Sequence, residues 1–162
     1  MVGDLGSKTM KLRALIIDDS EMVRQLLKQL LRFTNLAEWE FSEAGDGAAA
    51  LGKFSPQSVD IVFVDWNMPK MSGTEFIRKV RTGGKADHVP MIMVTGRNTV
   101  GDLETALDEF GADAYITKPF SAETLISNLR EPLERIAAYR EQRAKGKGPL
   151  FERLFRPGHG RE

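Results

Sequence analysis

Short apolar runs alternate with longer amphipathic segments through the middle of the chain. The runs predict β-strands at 12–17, 38–44, 61–64, 91–94 and 114–116. The segments between them repeat their apolar residues every three or four positions, which predicts helices beginning near residues 20, 46, 72, 100 and 121. In the fourth helix the apolar stripe comprises Val100, Leu103, Leu107 and Phe110, and Gly111 ends it. Pro132 predicts a kink or an exposed break in the fifth.

This alternation predicts an α/β fold, a five-stranded parallel sheet with helices on both faces. Functional groups in such folds gather where the strands end at their carboxyl edge. Polar residues stand at that point in four of the five strands. They are Asp18 and Asp19 after the first strand, Asp65 after the third, Thr95 after the fourth and Lys118 after the fifth.

Three clustered carboxylates repel one another, and a hard divalent cation removes that repulsion. An aspartate can also act as a nucleophile that forms an aspartyl phosphate. Transfer of a phosphoryl group needs positioning and charge neutralisation, which Lys118, Thr95 and a metal ion would supply. The pattern therefore predicts Mg²⁺-assisted phosphoryl transfer to a carboxylate, with Mn²⁺ as an alternative ion.

Four local motifs carry a family resemblance over residues 10–135. They are Ile16-Ile17-Asp18-Asp19-Ser20, Val64-Asp65-Trp66-Asn67-Met68-Pro69 followed by Ser72-Gly73, Val94-Thr95-Gly96, and Gly111-Ala112-Asp113-Ala114-Tyr115-Ile116-Thr117-Lys118-Pro119-Phe120. In this order the motifs resemble the response-regulator receiver family, and within it the stand-alone, CheY-like chemotaxis regulators. The resemblance implies the flavodoxin-like strand order 2-1-3-4-5.

The resemblance also implies roles for the site residues. Asp65 would accept the phosphoryl group; Asp18, Asp19, Asp65 and the backbone carbonyl of Asn67 would hold the metal. Thr95 and Lys118 would contact the phosphoryl oxygens, and the Lys118–Pro119 peptide would be cis. Thr95 and Tyr115 would form the switch, while Asn67 and Arg97 would flank the phosphoryl group and modulate its lifetime.

The resemblance further implies a phosphoacceptor switch and not an enzyme in the usual sense. A histidine kinase would donate the phosphoryl group. A protein, such as a flagellar motor switch, would read the surface formed by the fourth helix, fifth strand and fifth helix. Glu104 and Asp108 are candidate contacts there, on the side of the helix opposite its apolar stripe. A phosphate sink or relay intermediate is the alternative output.

Composition narrows the remaining classes of protein. The chain has no cysteine, which excludes disulfides and thiolate metal sites, and it shows neither a membrane span nor a secretory signal, so we expect a cytoplasmic protein. Residues 12–136 carry a net charge of −5 and residues 137–162 one of +4, which argues against direct DNA binding by the body. Asp18-Asp19-Ser20-Glu21 also disfavours a flavodoxin-type phosphate loop or an Asp-x-Asp phosphatase.

The predicted organisation is a flexible N-terminus at 1–9, a receiver domain at 10–136, and the end of the last helix with a basic tail at 137–162. Within the tail, Leu150, Phe151, Leu154 and Phe155 predict a short amphipathic helix of marginal stability.

Overall fold

The computed structural model describes residues 9–146, which form one parallel sheet flanked by helices. The strand order is β2-β1-β3-β4-β5, as the resemblance implied. The strands are β1 Lys11–Ile17, β2 Glu38–Ala44, β3 Ile61–Val64, β4 Met91–Thr95 and β5 Ala114–Thr117. The helices are α1 Glu21–Thr34, α2 Gly47–Lys53, α3 Gly73–Arg81, α4 Val100–Glu104 and α5 Ala122–Ala144, and a π-helical turn at Thr105–Glu109 follows α4.

Side-chain caps fix where the helices begin. The hydroxyl of Ser20 accepts a hydrogen bond from the amide of Val23, and the carboxylate of Asp46 does the same for Ala49. Ser72 and Glu75 form a reciprocal capping box at the start of α3. Because each cap directly follows a strand or its loop, the caps set the positions at which the chain leaves the carboxyl edge of the sheet.

Both faces of the sheet are buried. On one face, residues of β1, β3 and β4 pack against Leu27 and Leu31 of α1 and Leu125 and Leu129 of α5. The other face packs against α2, α3 and the π-helical turn, and its buried side chains include Ala50, Phe76, Ile77 and Ala106. The central strand β3 is apolar and buried at all four positions, so its ends are held rigidly at the two edges of the sheet.

The predicted burial of Val100 and Leu103 is wrong. Val100 is 70% exposed and Leu103 is 36% exposed, and Ala106 takes the buried position instead. The amide of Phe110 bonds to the carbonyl of Thr105, five residues earlier. This wider turn breaks the 3.6-residue period on which the predicted stripe depended. Gly111, with φ of 83°, follows the turn as expected.

Pro132 does not make an exposed break. Helix α5 continues through this residue, which is buried, as are Leu129, Leu133 and Ile136 of the same helix. Burial of that apolar ring offsets part of the cost of the missing backbone hydrogen bond.

The predicted amphipathic segment at 150–155 lies outside the described residues. Within 9–146, none of the helices combines the length and the apolar character that crossing a membrane requires.

Candidate functional site

Three carboxylates meet at the carboxyl edge of the sheet, as the strand pattern predicts. Asp18 and Asp19 follow β1, and Asp65 follows the neighbouring strand β3. The amide of Asp65 donates to the carbonyl of Ile17 at 3.0 Å, which holds the two strand ends in register. One oxygen from each of the three carboxylates lies within 4.8 Å of the other two. Asp18 and Asp65 are only 3% and 7% exposed, whereas Asp19 is open to solvent.

Lys118 brings a positive charge into this cluster from the end of β5. Its Nζ lies 2.8 Å from Asp18 Oδ2 and 3.2 Å from Asp65 Oδ2. Its backbone amide donates to the carbonyl of Thr95 at 2.8 Å, so the ends of β5 and β4 are tied together. The Lys118–Pro119 peptide bond is cis. One ammonium group therefore neutralises part of the charge of two buried carboxylates.

Burial and pairing act in opposite directions on the two charged partners. Burial raises the pKa of Asp18 above its ordinary value, although the hydrogen bond from Lys118 opposes that shift. Burial would lower the pKa of Lys118, but the hydrogen bond that it donates to Asp18 and the charge of Asp65 outweigh burial, and the net pKa is raised. The lysine therefore stays protonated, and its single positive charge is set against three carboxylates.

The remaining oxygens of the buried carboxylates are held by backbone amides. Asp65 Oδ1 accepts from the amide of Trp66 at 2.7 Å, and Asp18 Oδ1 accepts from the amide of Ser20 at 2.9 Å. These bonds leave each carboxylate with one oxygen toward Lys118 and a fixed plane. Asp65 is thus oriented before any ligand arrives, which is what positioning of a nucleophile requires.

Thr95 is the last residue of β4 and is 1% exposed. It pairs in register with Thr117, the residue that precedes Lys118. The hydroxyl-bearing and ammonium-bearing residues therefore lie on adjacent strand ends, next to the strand that leads into Asp65.

Arg97 lies across the mouth of the site. Its guanidinium carbon is 4.4 Å from the centroid of the Trp66 ring, and Nη2 is 3.4 Å from the side-chain oxygen of Asn67. Nη1 lies 3.4 Å from Asp102 Oδ1 in α4. The hydroxyl of Tyr115 donates to the carbonyl of Arg97. Arg97 therefore links the loop after Asp65 to α4 and to Tyr115 of β5.

Sequence reasoning did not include Arg24 and assigned no role to Gly73, although both residues shape the site. The guanidinium of Arg24 donates to the carbonyl of Asp18 at 2.6 Å while pairing with Glu43. Its place one turn into α1 was the available signal, because helical side chains lean toward the N-terminus and so toward the preceding loop. Gly73 permits a close approach, since a Cβ there would stand 1.9 Å from the carbonyl oxygen of Asp65.

The donor set suits a hard divalent cation. Three carboxylates converge and each offers an oxygen, the ligand type that Mg²⁺ and Mn²⁺ prefer. Negative charge exceeds the single positive charge of Lys118. A divalent ion held by Asp18, Asp19 and Asp65 would correct that imbalance.

Comparison with known proteins agrees with the fold and with the position of the site. The family described as "Response regulator receiver domain" matches residues 14–130. The chemotaxis protein CheY of Pseudomonas aeruginosa is 35% identical over 128 residues, covering 77% of this chain and 98% of that protein. The sensory transduction protein RegX3 of Mycolicibacterium smegmatis is 40% identical over 121 residues. The match covers 75% of this chain but only 50% of RegX3.

A solved structure of the chemotaxis protein CheY4 from Vibrio cholerae superposes with a TM-score of 0.64 at 30% sequence identity. It covers 78% of this chain and 98% of that chain. The matched region contains the ends of β1, β3, β4 and β5, which carry Asp18, Asp19, Asp65, Thr95 and Lys118. The chain belongs to the response regulator receiver domain family.

Proposed function

We propose that Asp65 accepts a phosphoryl group from the phosphohistidine of a histidine kinase. The observation that carries this proposal is the geometry of the Asp65 carboxylate. It is buried, fixed by the amide of Trp66, paired with Lys118, and surrounded by further acidic groups that can hold a metal. A structural aspartate would need none of those neighbours.

The transfer forms a bond between an Asp65 carboxylate oxygen and phosphorus and breaks the P–N bond to the kinase imidazole, which keeps the electron pair. Asp65 is presented on a rigid strand end, and the backbone amide of Trp66 keeps one oxygen engaged. The ammonium of Lys118 and the hydroxyl of Thr95 would contact the phosphoryl oxygens. Mg²⁺ bound by Asp18, Asp19, Asp65 and the carbonyl of Asn67 would neutralise charge on the carboxylates and the phosphoryl group.

We propose further that the protein is a switch and not a turnover enzyme. A phosphoryl group on Asp65 competes for Lys118, which now pairs with Asp18, and draws Thr95 toward it. Because the carbonyl of Arg97 holds the hydroxyl of Tyr115, movement of the loop after Thr95 changes the position of that ring. The equilibrium of the α4–β5–α5 surface shifts without a new fold. Glu104 and Asp108 are exposed on that surface and can contact a target.

The output that fits best is of chemotaxis type, in which a protein such as a flagellar motor switch reads this surface. Its support is that the relatives named as chemotaxis proteins are matched over nearly their whole length. A phosphate sink or relay intermediate is the second candidate, since it would use the same Asp65 chemistry without a dedicated target. Profiling of phosphotransfer from candidate kinases would separate the two.

The proposal is tested by phosphorylation with acetyl phosphate and Mg²⁺, followed by intact-mass and peptide analysis. We expect one hydroxylamine-sensitive phosphoryl group on Asp65. It should be absent in Asp65→Asn and in metal-free buffer, and strongly reduced in Asp19→Asn. Asp108→Asn, which removes an exposed carboxylate, is the matched control and should label normally. Labelling of Asp65→Asn at the wild-type level would contradict the assignment.

A further inference from the structure

A second cleft lies at the opposite edge of the sheet, where the strands begin. Its volume is about 400 Å³, within the ~300–1,000 Å³ range of small-molecule sites. Arg13 and Asp60 line it at the starts of β1 and β3, and Lys85 and His88 line it from the loop before β4. No part of the proposed phosphorylation site borders this cleft.

The outer wall of the cleft belongs to the last turns of α5. Ile136, Tyr139, Arg140 and Arg143 all contribute to it. These residues lie beyond residue 130, where the match to the receiver family ends. The cleft is therefore completed by residues that lie after the end of the family match.

Positive charge predominates around the cleft. Among the described residues, four Lys or Arg side chains and one carboxylate line it, whereas residues 12–136 as a whole carry a net charge of −5. Asp60 is already fully engaged. Arg13 donates hydrogen bonds to its carboxylate from Nε and Nη2, both at 3.0 Å, and Arg140 Nη2 lies 3.2 Å from Asp60 Oδ2. Although burial acts to raise the pKa of Asp60, those bonds and charges hold it below its ordinary value.

Two further cations remain available to a ligand. Within residues 9–146, neither Lys85 nor Arg143 has a carboxylate within ion-pair distance. Arg143 instead lies beside Tyr139, with Nη1 3.3 Å from the hydroxyl oxygen. Both positive groups therefore stand at the cleft without a carboxylate partner among residues 9–146.

An aromatic pair shapes the wall between these cations. The rings of His88 and Tyr139 are stacked, with their centroids 4.2 Å apart and an angle of 6° between their planes. His88 Nε2 lies 3.2 Å from the carbonyl of Pro56, and since a carbonyl only accepts, this nitrogen carries the proton. The stack joins the loop before β4, which carries Lys85, to α5, which carries Arg143.

We propose that this cleft binds a small multivalent oxyanion carrying phosphate or carboxylate groups. The guanidinium of Arg143 offers a planar fork that matches two oxygens, and the ammonium of Lys85 adds a compact charge from the other wall. Arg140 and Arg13 add to the positive electrostatic potential of the cleft while they remain paired with Asp60. The volume admits a compact ligand and excludes a folded partner.

The test titrates the whole chain with pyrophosphate and, separately, with citrate, in metal-free buffer at low salt. Calorimetry and amide chemical shifts report binding, and the two titrations separate phosphate from carboxylate recognition. We expect saturable binding with shifts at 56–60, 85–89 and 136–143. The double variant Lys85→Gln/Arg143→Gln should weaken binding by about tenfold or more, a loss of about 1.4 kcal/mol or more.

Lys79→Gln/Arg130→Gln is the matched control, because it removes the same two charges from exposed positions outside the cleft. It should change the affinity much less. Equal weakening by both double variants would reduce the effect to net charge and overturn the proposal. Shifts confined to the acidic edge of the sheet, or no saturable binding of either anion, would overturn it as well. Neither outcome bears on the phosphorylation of Asp65.

Discussion

Gly73 determines how closely the start of α3 can approach Asp65, the residue that follows β3. Its amide donates to the carbonyl of Trp66 at 2.8 Å, and its missing Cβ leaves room for the carbonyl of Asp65. The residue is required for its size and not for an unusual backbone conformation, because positive φ is found at other glycines. The loop after β3 is therefore held by the close contact between Gly73 and the backbone of Asp65 and Trp66, which a side chain at residue 73 would block.

Replacing Gly73 with alanine should destabilise the protein by about 2 kcal/mol, since the new Cβ would overlap the backbone of Asp65 and force it to move. Urea denaturation followed by circular dichroism measures the change. Gly52→Ala is the matched control, because a Cβ at this position in α2 meets nothing within 4 Å. That variant should be unchanged or more stable by up to ~1 kcal/mol. Equal midpoints for the two variants would show that the acceptor loop yields without cost.

At the scale of elements, local pattern predicted most of the fold. The predicted and observed strands agree to within one residue at each end, because apolar runs between turn residues are a local signal. The region after β4 was not predictable in the same way. Nothing in the spacing of Val100, Leu103 and Leu107 announces the π-helical turn that changes their phase, since its position depends on packing of Ala106 against the sheet.

The site residues also fall into those that a local pattern predicts and those that depend on contacts between distant parts of the chain. Asp18, Asp19, Asp65, Thr95 and Lys118 were predictable because each lies at the end of a strand or just after it, and parallel topology brings those ends together. The contacts of Arg97 with Trp66 and Asn67 were not, because they join two loops whose relative positions no local rule specifies. The stack of His88 on Tyr139 escaped for the same reason, with 51 positions separating the residues in sequence.

The Arg97–Trp66 contact should restrain the loop between β4 and α4. We expect Arg97→Gln to increase amide exchange across residues 96–104 and to shift Trp66 fluorescence, because loss of the cation–π contact, worth about 0.5–1 kcal/mol, exposes the indole. The measurement belongs in a Trp39→Phe background, so that only one tryptophan reports. Arg78→Gln removes the similar contact of Arg78 with Phe110, at 4.8 Å, and serves as the control. If both variants change exchange at 96–104 equally, Arg97 has no special hold on that loop.

Across the whole molecule, β3 separates two sites of opposite charge. Asp65 follows the strand at the acidic edge, and Asp60 precedes it at the basic edge. The four residues between them are fully buried and hydrogen-bonded on both sides to β1 and β4. This receiver domain thus carries its proposed phosphoacceptor at one end of the sheet and a cationic cleft, completed by the last turns of α5, at the other.

Asp60 also connects the end of α5 to the sheet, and this connection should be sensitive to pH. Its folded pKa lies below the ordinary value of 3.8, because bonds from Arg13 and the charge of Arg140 outweigh burial. A carboxyl of this kind stabilises the fold fully above its unfolded pKa, and the contribution disappears as pH falls through the folded pKa. At pH 7 the carboxylate should therefore contribute its full share.

We expect Asp60→Asn to lower the free energy of unfolding by about 2 kcal/mol at pH 7, the scale of hydrogen bonds to a charged partner. The difference from wild type should shrink progressively below pH 3.8, where the unfolded carboxyl takes up its proton first. Urea melts from pH 7 down to pH 3 measure this difference, and subtraction removes the opposite contribution of Asp18, whose pKa is raised in both proteins. Asp108→Asn, at an exposed position without an ion pair in the described part of the chain, should show no such dependence. A difference that stays constant with pH would mean that Asp60 acts through shape alone and that its charge does not hold α5 to the sheet.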